Sequence, residues 1–232
     1  MKISENIVEI SSEEKVVLQK NHDLLISIKN KPFFDFFKRC FDIVVSILCL
    51  LILAVPLLVV AIVILIDSPG ASPIYTQDRV GKNGRVFKFY KFRSMIPNAD
   101  SLLENLLDKN EMEGPAFKIK NDPRITRFGR FIRKSGIDEF PQLWNVLKGD
   151  MTLVGPRPPL PREVAMYTEY QKQRLLVPPG ITCYWQVQPK RNSLTFEQWL
   201  ELDLKYITER SFKTDLYIIF KTFRAVCGME GV

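Results

Sequence analysis

The sequence predicts a mostly helical α/β unit that is attached to a membrane by one apolar helix near the N-terminus. Three observations lead to this class. Residues 43–66 contain no charged side chain, so this segment is long and apolar enough for a membrane helix. Residues 72–95 alternate apolar and polar residues around Gly-Lys-Asn-Gly, which predicts a small β-hairpin. Much of the remaining chain shows apolar residues at helical spacing.

The composition predicts an anionic partner. The chain has 232 residues, of which 33 are Lys or Arg and 26 are Asp or Glu, and its net charge is +7. Such a basic chain suits a phosphate-bearing substrate, an anionic membrane surface or a nucleic acid. The four cysteines are far apart in sequence, and the one histidine, His22, lies in a polar stretch. Zinc sites and histidine-based catalysis are therefore disfavoured, and free thiols are expected.

The apolar segment contains a proline, Pro56, just past its middle. As a straight helix, residues 43–66 would reach about 36 Å, enough to cross a hydrocarbon core of about 30 Å. Proline removes a backbone hydrogen bond and kinks or breaks a helix, although spanning helices also tolerate it. Basic residues, which favour the cytoplasmic side, flank the segment on both ends. These features favour a re-entrant, proline-broken helix over a crossing one. The flanking residues are Lys31, Lys38, Arg39, Arg79, Lys82, Arg85, Lys88, Lys91 and Arg93.

We therefore divide the chain into three parts. Residues 1–30 are a polar N-terminal extension, residues 31–69 an interfacial and re-entrant membrane helix, and residues 70–232 a cytoplasmic domain. The expected location is the inner face of the cytoplasmic membrane. Amphipathic interfacial helices are expected beside the membrane segment. The C-terminal amphipathic helix, residues 214–228, has an apolar face that suits the membrane and the core equally well.

Periodicity places the helices of the domain. The predicted helical stretches are residues 98–114, 124–136, 138–148, 194–208 and 214–228. Pro141 is tolerated only in a first turn, so the third of these helices should start near Asp138. Its predicted apolar face consists of Phe140, Leu143, Trp144 and Leu147.

Two adjacent acids, Asp138 and Glu139, are the candidate reactive groups. A single acid at a helix start is usually a cap. Here there are two acids, they follow the arginine-rich run 124–133, and the chain returns through the rigid turn Gly155-Pro156-Arg157-Pro158. Acids that can hold a cation, surrounded by arginines, indicate a site that handles phosphate. An ionised aspartate there suits nucleophilic attack on phosphorus.

These motifs resemble those of the small monotopic polyprenyl-phosphate phosphoglycosyl transferases, in the bacterial sugar transferase family. The resemblance covers residues 36–226 and rests on YKFRSM, DPRITRFGRFIRKSGIDEFPQLWNVLKGDM, LVGPRP, PPGIT and the proline-containing apolar segment. It implies transfer of a sugar 1-phosphate from a UDP-sugar to polyprenyl (undecaprenyl) phosphate with release of UMP. It further implies Mg²⁺, a covalent aspartyl sugar-phosphate intermediate and a role in the first membrane step of surface polysaccharide assembly. Larger relatives carry additional membrane helices and a further domain, and this chain is expected to be the minimal form with an N-terminal extension.

The resemblance also implies residue roles. Asp138 would be the nucleophile and a Mg²⁺ ligand, with Glu139 as its partner. The implied substrate-binding residues are Lys91, Arg133, Arg157 and Arg191. The expected partners are the UDP-sugar, polyprenyl phosphate and membrane lipids. Nucleic acid is not an expected partner, and a homo-oligomer is compatible with the sequence.

Two other functions compete with the enzymatic one. Basic runs interleaved with Phe and Tyr are also found in nucleic-acid-binding proteins, here one tethered to a membrane. A non-catalytic scaffold of a polysaccharide assembly system is the second alternative. Ultraviolet absorbance of the purified protein detects bound nucleic acid, and measurable UMP release excludes a role as scaffold alone.

Overall fold

The computed structural model describes residues 30–102, 106, 108, 119, 121–188 and 193–227. Within these residues the chain forms seven α-helices and two small two-stranded sheets, so the mostly helical class is confirmed. The predicted N-terminal extension lies outside the described residues except for Asn30. The helix predicted at residues 98–114 also falls mostly outside them, and its described start is a turn.

Helix α1, Pro32–Asp67, contains the whole apolar segment. It is long and apolar enough to cross a membrane, and its apolar middle is almost entirely unburied. The predicted break at Pro56 is wrong at the level of secondary structure, because one α-helix runs through this residue. A proline inside a helix removes one hydrogen bond, while the apolar turns on either side keep their own.

The N-terminal part of α1 binds the domain through charged side chains. Arg39 donates to the carbonyl oxygens of Val146 at 2.5 Å and Leu147 at 2.9 Å. Asp42 is buried and accepts a hydrogen bond from the Thr152 hydroxyl at 2.5 Å.

The C-terminal end of α1 contacts the same domain. Ile64 is buried in a small core with Phe92 and Ile132. Arg93 donates to the carbonyl oxygen of Ser68, directly after the helix. Both ends of α1 are therefore held by one domain.

The predicted hairpin is confirmed. Strand β1, Ile74–Val80, pairs antiparallel with β2, Val86–Phe92. Their connection turns through Asn83 and Gly84, both with positive φ. The register places Tyr75 opposite Lys91, so these side chains lie on one face of the hairpin.

Helix α2, Arg127–Lys134, confirms the second predicted stretch, residues 124–136, in outline, with Thr126 as its N-cap. Gly136 then adopts a left-handed conformation with φ of 70° and starts a 3₁₀ turn, Ile137–Glu139. The next α-helix, α3, is Gln142–Lys148. Asp138 thus precedes α3 by a full turn, and its predicted place at the helix start is wrong. Pro141 has no N–H, so the chain continues here with tighter bonds, such as Phe140 N–H to the Ile137 carbonyl at 3.2 Å.

The buried face of α3 differs from the predicted one. Leu143 and Val146 are buried, but Trp144 is 55 % exposed. Asn145 is completely buried and reaches strand β2, where its amide accepts from Tyr90 N–H at 3.0 Å and donates to the Lys88 carbonyl at 2.6 Å. The buried face of α3 therefore points towards the hairpin and includes Asn145, whereas apolar spacing alone predicts Trp144 in its place.

A second sheet, which the sequence did not predict, joins two motifs that are distant in sequence. Strand β3, Thr152–Val154, pairs in parallel with β4, Gly180–Thr182. The backbones approach so closely beyond β3 that a Cβ at Gly180 would lie 2.0 Å from the Gly155 nitrogen. Two short helices, α4 (Pro161–Val164) and α5 (Glu169–Lys172), connect these strands.

The last two helices complete the core. Helix α6, Phe196–Glu209, starts at a capping box formed by Thr195 and Gln198, and α7 is Phe212–Cys227. The main core gathers residues from both sheets and from α3, α6 and α7. In α7 only part of the apolar face is buried: Ile218 is inside the core, whereas Phe220 and Phe223 are exposed by 65 % and 67 %. The predicted core contact is therefore present, and the exposed part of the apolar face leaves the predicted membrane contact as a prediction.

Candidate active site

Four of the predicted cationic and acidic positions converge where three segments meet. Asp138 and Glu139 lie in the turn between α2 and α3, Lys91 lies near the end of β2, and Arg157 follows β3. Arg133, in the last turn of α2, completes the group. Arg191 lies outside the described residues.

Asp138 is the most buried acid of this group, with 7 % of its surface exposed. Burial raises the pKa of its carboxyl, and the charges of Lys91, Arg133 and Arg157 oppose that shift. The sequence predicted an ionised carboxylate stabilised by nearby positive charges and a helix end. The structure adds loss of hydration as the largest influence on this carboxyl group.

Lys91 faces Asp138 from the hairpin. Burial and the nearby charge of Arg133 lower the pKa of Lys91 to about 7, while Asp138 acts in the opposite direction. Its ammonium group lies 5.4 Å from the centre of the Tyr75 ring. Tyr75 is itself fixed, because its hydroxyl contacts the Asp100 carboxylate at 3.0 Å and burial raises the pKa of this hydroxyl to about 12.

Arg133 is oriented by the segment after β2. Its Nε donates to the hydroxyl of Ser94 at 2.7 Å. Burial lowers the pKa of Arg133, and the charge of Asp138 opposes this effect. Helix α2 can approach Ser94 this closely because residue 129 is glycine: a Cβ there would lie 1.9 Å from the Ser94 carbonyl oxygen.

Arg157 lies opposite the second acid. Its guanidinium is 3.9 Å from the Glu139 carboxylate, and both side chains are partly exposed. A partly exposed arginine whose charge also acts on the buried Asp138 carboxylate suits the binding of an anionic group that enters from solvent.

Three residues that position the site were not predicted as part of it. Tyr75 supports Lys91, Asn145 ties α3 to β2, and Arg79 donates to the Pro158 carbonyl beside Arg157 at 3.0 Å. The strand alternation places Tyr75, Arg79 and Lys91 on one face of the hairpin, and this signal was available in the sequence. No local pattern indicates Asn145, because its partners are backbone atoms of a distant strand.

The two acids are candidate ligands for a divalent cation. The described part of the chain contains no cluster of three His, Cys, Asp or Glu side chains that would hold an ion alone. Mg²⁺, however, is often held by one or two carboxylates together with substrate phosphates. Asp138 offers carboxylate oxygens of the kind that Mg²⁺ binds, and the ion remains a prediction.

Cationic side chains around a buried carboxylate can bind phosphate groups, and here they lie on a domain joined to a helix that is long and apolar enough to cross a membrane. The family model described as Bacterial sugar transferase matches residues 33–229. The chain belongs to the bacterial sugar transferase family, and the resemblance found in its motifs is confirmed.

Individual relatives support this assignment. Galactosyl transferase CpsE of Streptococcus agalactiae serotype III is 47 % identical over 189 residues, which cover 82 % of this chain and 42 % of that protein. Undecaprenyl-phosphate galactose phosphotransferase of Salmonella typhimurium is 41 % identical over 90 % of this chain and 44 % of that protein. The chain thus spans less than half of these relatives. Exopolysaccharide production protein ExoY of Sinorhizobium fredii is 36 % identical over 87 % of this chain and 90 % of its own length.

Proposed function

We propose that this protein transfers a sugar 1-phosphate from a UDP-sugar to polyprenyl phosphate, such as undecaprenyl phosphate, and releases UMP. The observation that carries the proposal is the buried Asp138 carboxylate surrounded by the charges of Lys91, Arg133 and Arg157. This arrangement provides a nucleophile and neutralises phosphate oxygens in one place. The names of relatives that act on undecaprenyl phosphate support the choice of acceptor.

The proposed reaction has two displacements at one phosphorus atom. In the first, a carboxylate oxygen of Asp138 attacks the β-phosphorus of the UDP-sugar. The bond from this phosphorus to the bridging oxygen breaks, and UMP leaves with that oxygen and the bonding electrons. In the second, a phosphate oxygen of the polyprenyl phosphate attacks the same phosphorus, and the Asp138 carboxylate is regenerated. Such a scheme gives ping-pong kinetics.

The other residues bind and orient the diphosphate. Lys91 and Arg133 neutralise the oxygens around the attacked phosphorus, and the more exposed Arg157 contacts the nucleotide phosphate. Glu139, paired with Arg157 at 3.9 Å, keeps that guanidinium near the site until the nucleotide binds. Asp138 would hold Mg²⁺, which would supply additional positive charge for the leaving phosphate.

The proposal includes a re-entrant topology for α1, with the domain on the cytoplasmic face of the cytoplasmic membrane. A domain on one side of a bilayer cannot contact both ends of a helix that crosses it. Arg39 near the start of α1 and Ser68 just after its end both bind the domain. Basic residues on both flanks favour the cytoplasm for both. Because an internal proline can kink a helix without ending it, α1 would bend at Pro56, so that its exposed middle enters the bilayer and the chain returns to the same side.

The activity is tested by UMP release from a panel of UDP-sugars with undecaprenyl phosphate and Mg²⁺ in detergent. The expected result is release with at least one sugar, dependent on the lipid for multiple turnovers, and no release by Asp138→Asn. Absence of release with every sugar from a well-folded protein would contradict the proposal.

The topology is tested by single cysteines at residues 30 and 100, introduced into a variant that lacks the native cysteines. Intact cells are treated with a membrane-impermeant thiol reagent. We expect both positions to be protected until the cells are opened. Labelling of only one position in intact cells would demonstrate a crossing helix.

A further inference from the structure

The turn that carries Arg157 is bound through its carbonyl oxygens from four directions. Residues 156, 158 and 159 are prolines, which have no N–H to donate. The carbonyl groups of this turn are therefore its main means of attachment to the rest of the fold. Their partners come from both sheets and from the segment after α5, which makes the turn a meeting point of distant parts of the chain.

The two outer carbonyls are bound by backbone amides. Gly180 N–H donates to the Pro156 carbonyl at 2.9 Å, and Val80 N–H donates to the Pro159 carbonyl, also at 2.9 Å. These bonds extend the edges of β4 and β1. They fix the ends of the turn and leave the carbonyls of Arg157 and Pro158 between them.

The two central carbonyls are bound by arginine side chains. Arg79 donates to the Pro158 carbonyl at 3.0 Å, and Arg174 approaches the Arg157 carbonyl at 3.4 Å. Both arginines are buried. Arg79 is further held by Gln77 at 2.9 Å, and Arg174 by Asp203 at 2.5 Å.

We propose that Arg79 and Arg174 are positioning residues that act through Arg157: they hold the backbone of its turn so that its guanidinium meets the nucleotide phosphate. The inference rests on the proposed function for the identity of that phosphate. It assigns a role in the site to Arg79, which the sequence placed in the basic flank of the membrane segment, and to Arg174, which no motif indicated. Neither is expected to contact the substrate.

The charge of Arg79 also interacts with that of Arg157. Burial and the nearby charge of Arg157 lower the pKa of Arg79 to about 10. The guanidinium of Arg157 lies 3.9 Å from the Glu139 carboxylate, and an incoming phosphate can replace this carboxylate as its partner.

The test is a double-mutant cycle with Arg79→Met and Arg157→Ala. Arg79 is the better choice because replacing Arg174 would leave the Asp203 charge buried without its partner. If Arg79 acts through Arg157, Arg79→Met lowers kcat/KM for the UDP-sugar by about 10- to 100-fold in the wild-type background. In the Arg157→Ala background the same substitution then changes kcat/KM by less than about threefold. Arg162→Met removes an exposed arginine from the neighbouring helix α4 and serves as the matched control.

Equal fold-losses in the two backgrounds would overturn the proposal, because a merely structural effect is independent of Arg157. Arg79→Lys retains one donor for the Pro158 carbonyl and is expected to recover part of the loss in kcat/KM. If Arg79→Met does not fold, Arg79→Lys takes its place in the cycle. The same cycle is measured on the Kd of UDP by calorimetry, which needs no turnover. If the wild type releases no UMP, the proposed function fails. Non-additive effects of the two substitutions on UDP affinity would still support the positioning role of Arg79, and additive effects would still overturn it.

Discussion

Asn145 offers a direct test of how the acid-bearing turn is joined to the hairpin. The Asn145→Ala substitution removes both hydrogen bonds from α3 to strand β2 and leaves Tyr90 N–H and the Lys88 carbonyl without their side-chain partner. Each unsatisfied buried group costs about 1–3 kcal/mol, and water that enters the space offsets part of this. We expect a net loss of about 2–4 kcal/mol in the free energy of unfolding.

In a chain of this size, each kcal/mol lowers Tm by roughly 2–4 °C. Thermal unfolding in detergent should therefore show a decrease of about 4–16 °C for Asn145→Ala. The exposed Asn30 provides a control, and Asn30→Ala should unfold within about 2 °C of the wild type. Activity of Asn145→Ala below its lowered Tm should also fall, because Lys91 and Asp138 are no longer fixed to each other. A wild-type Tm for Asn145→Ala would refute the role of this contact.

Three other perturbations test separate parts of the account. Lys91 is cationic below its pKa of about 7 and neutral above it, so kcat/KM for the UDP-sugar should fall as the pH rises through about 7. The Lys91→Arg variant should lack this decrease, and an unchanged profile would argue against a phosphate contact. Gly129→Ala should lower the unfolding free energy by at least about 2 kcal/mol, since its Cβ would lie 1.9 Å from the Ser94 carbonyl oxygen; an unaltered Tm would show that α2 can shift without cost. Treatment with EDTA should abolish UMP release and Mg²⁺ should restore it, whereas full activity without a divalent cation would exclude the proposed ion.

Local sequence patterns predicted the elements whose stabilising contacts are also local. The hairpin follows from the alternation around Lys82–Gly84, and α6 follows from its apolar period and the Thr195 capping box. The start of α3 could not be placed correctly, because Pro141 is compatible with both an α-helical and a 3₁₀ first turn. Gly136 in a left-handed conformation and the following short-range hydrogen bonds select the second.

Local sequence patterns could not predict the contacts between distant segments. Strands β3 and β4 have three residues each, too few for a periodic signal, and their parallel pairing depends on the close approach of Gly155 and Gly180. The attachment of α1 through Arg39 and Asp42 is likewise invisible to periodicity. In the sequence, Arg39 belongs to the basic flank and Asp42 is a single acid just before the apolar segment, and their partners in α3 and β3 are more than 100 residues away.

The candidate site was predictable to the extent that its chemistry is concentrated in motifs. The structure brings Asp138, Glu139, Lys91, Arg133 and Arg157 into one region, and the roles proposed for them remain predictions. The sequence could not indicate how strongly burial acts on Asp138 and Lys91, because desolvation depends on every segment that covers a side chain. It also gave no indication that arginines hold the turn of Arg157.

The most direct test of the central claim is mass spectrometry of the protein incubated with a UDP-sugar and Mg²⁺ in the absence of polyprenyl phosphate. The account predicts release of UMP up to one equivalent and a sugar-phosphate adduct on the peptide that contains Asp138. The adduct should disappear when polyprenyl phosphate is added, and Asp138→Asn should fold but form none. An adduct on another residue, an adduct on the Asp138→Asn variant, or kinetics that require both substrates to bind before UMP is released would contradict the assignment of Asp138 as the nucleophile.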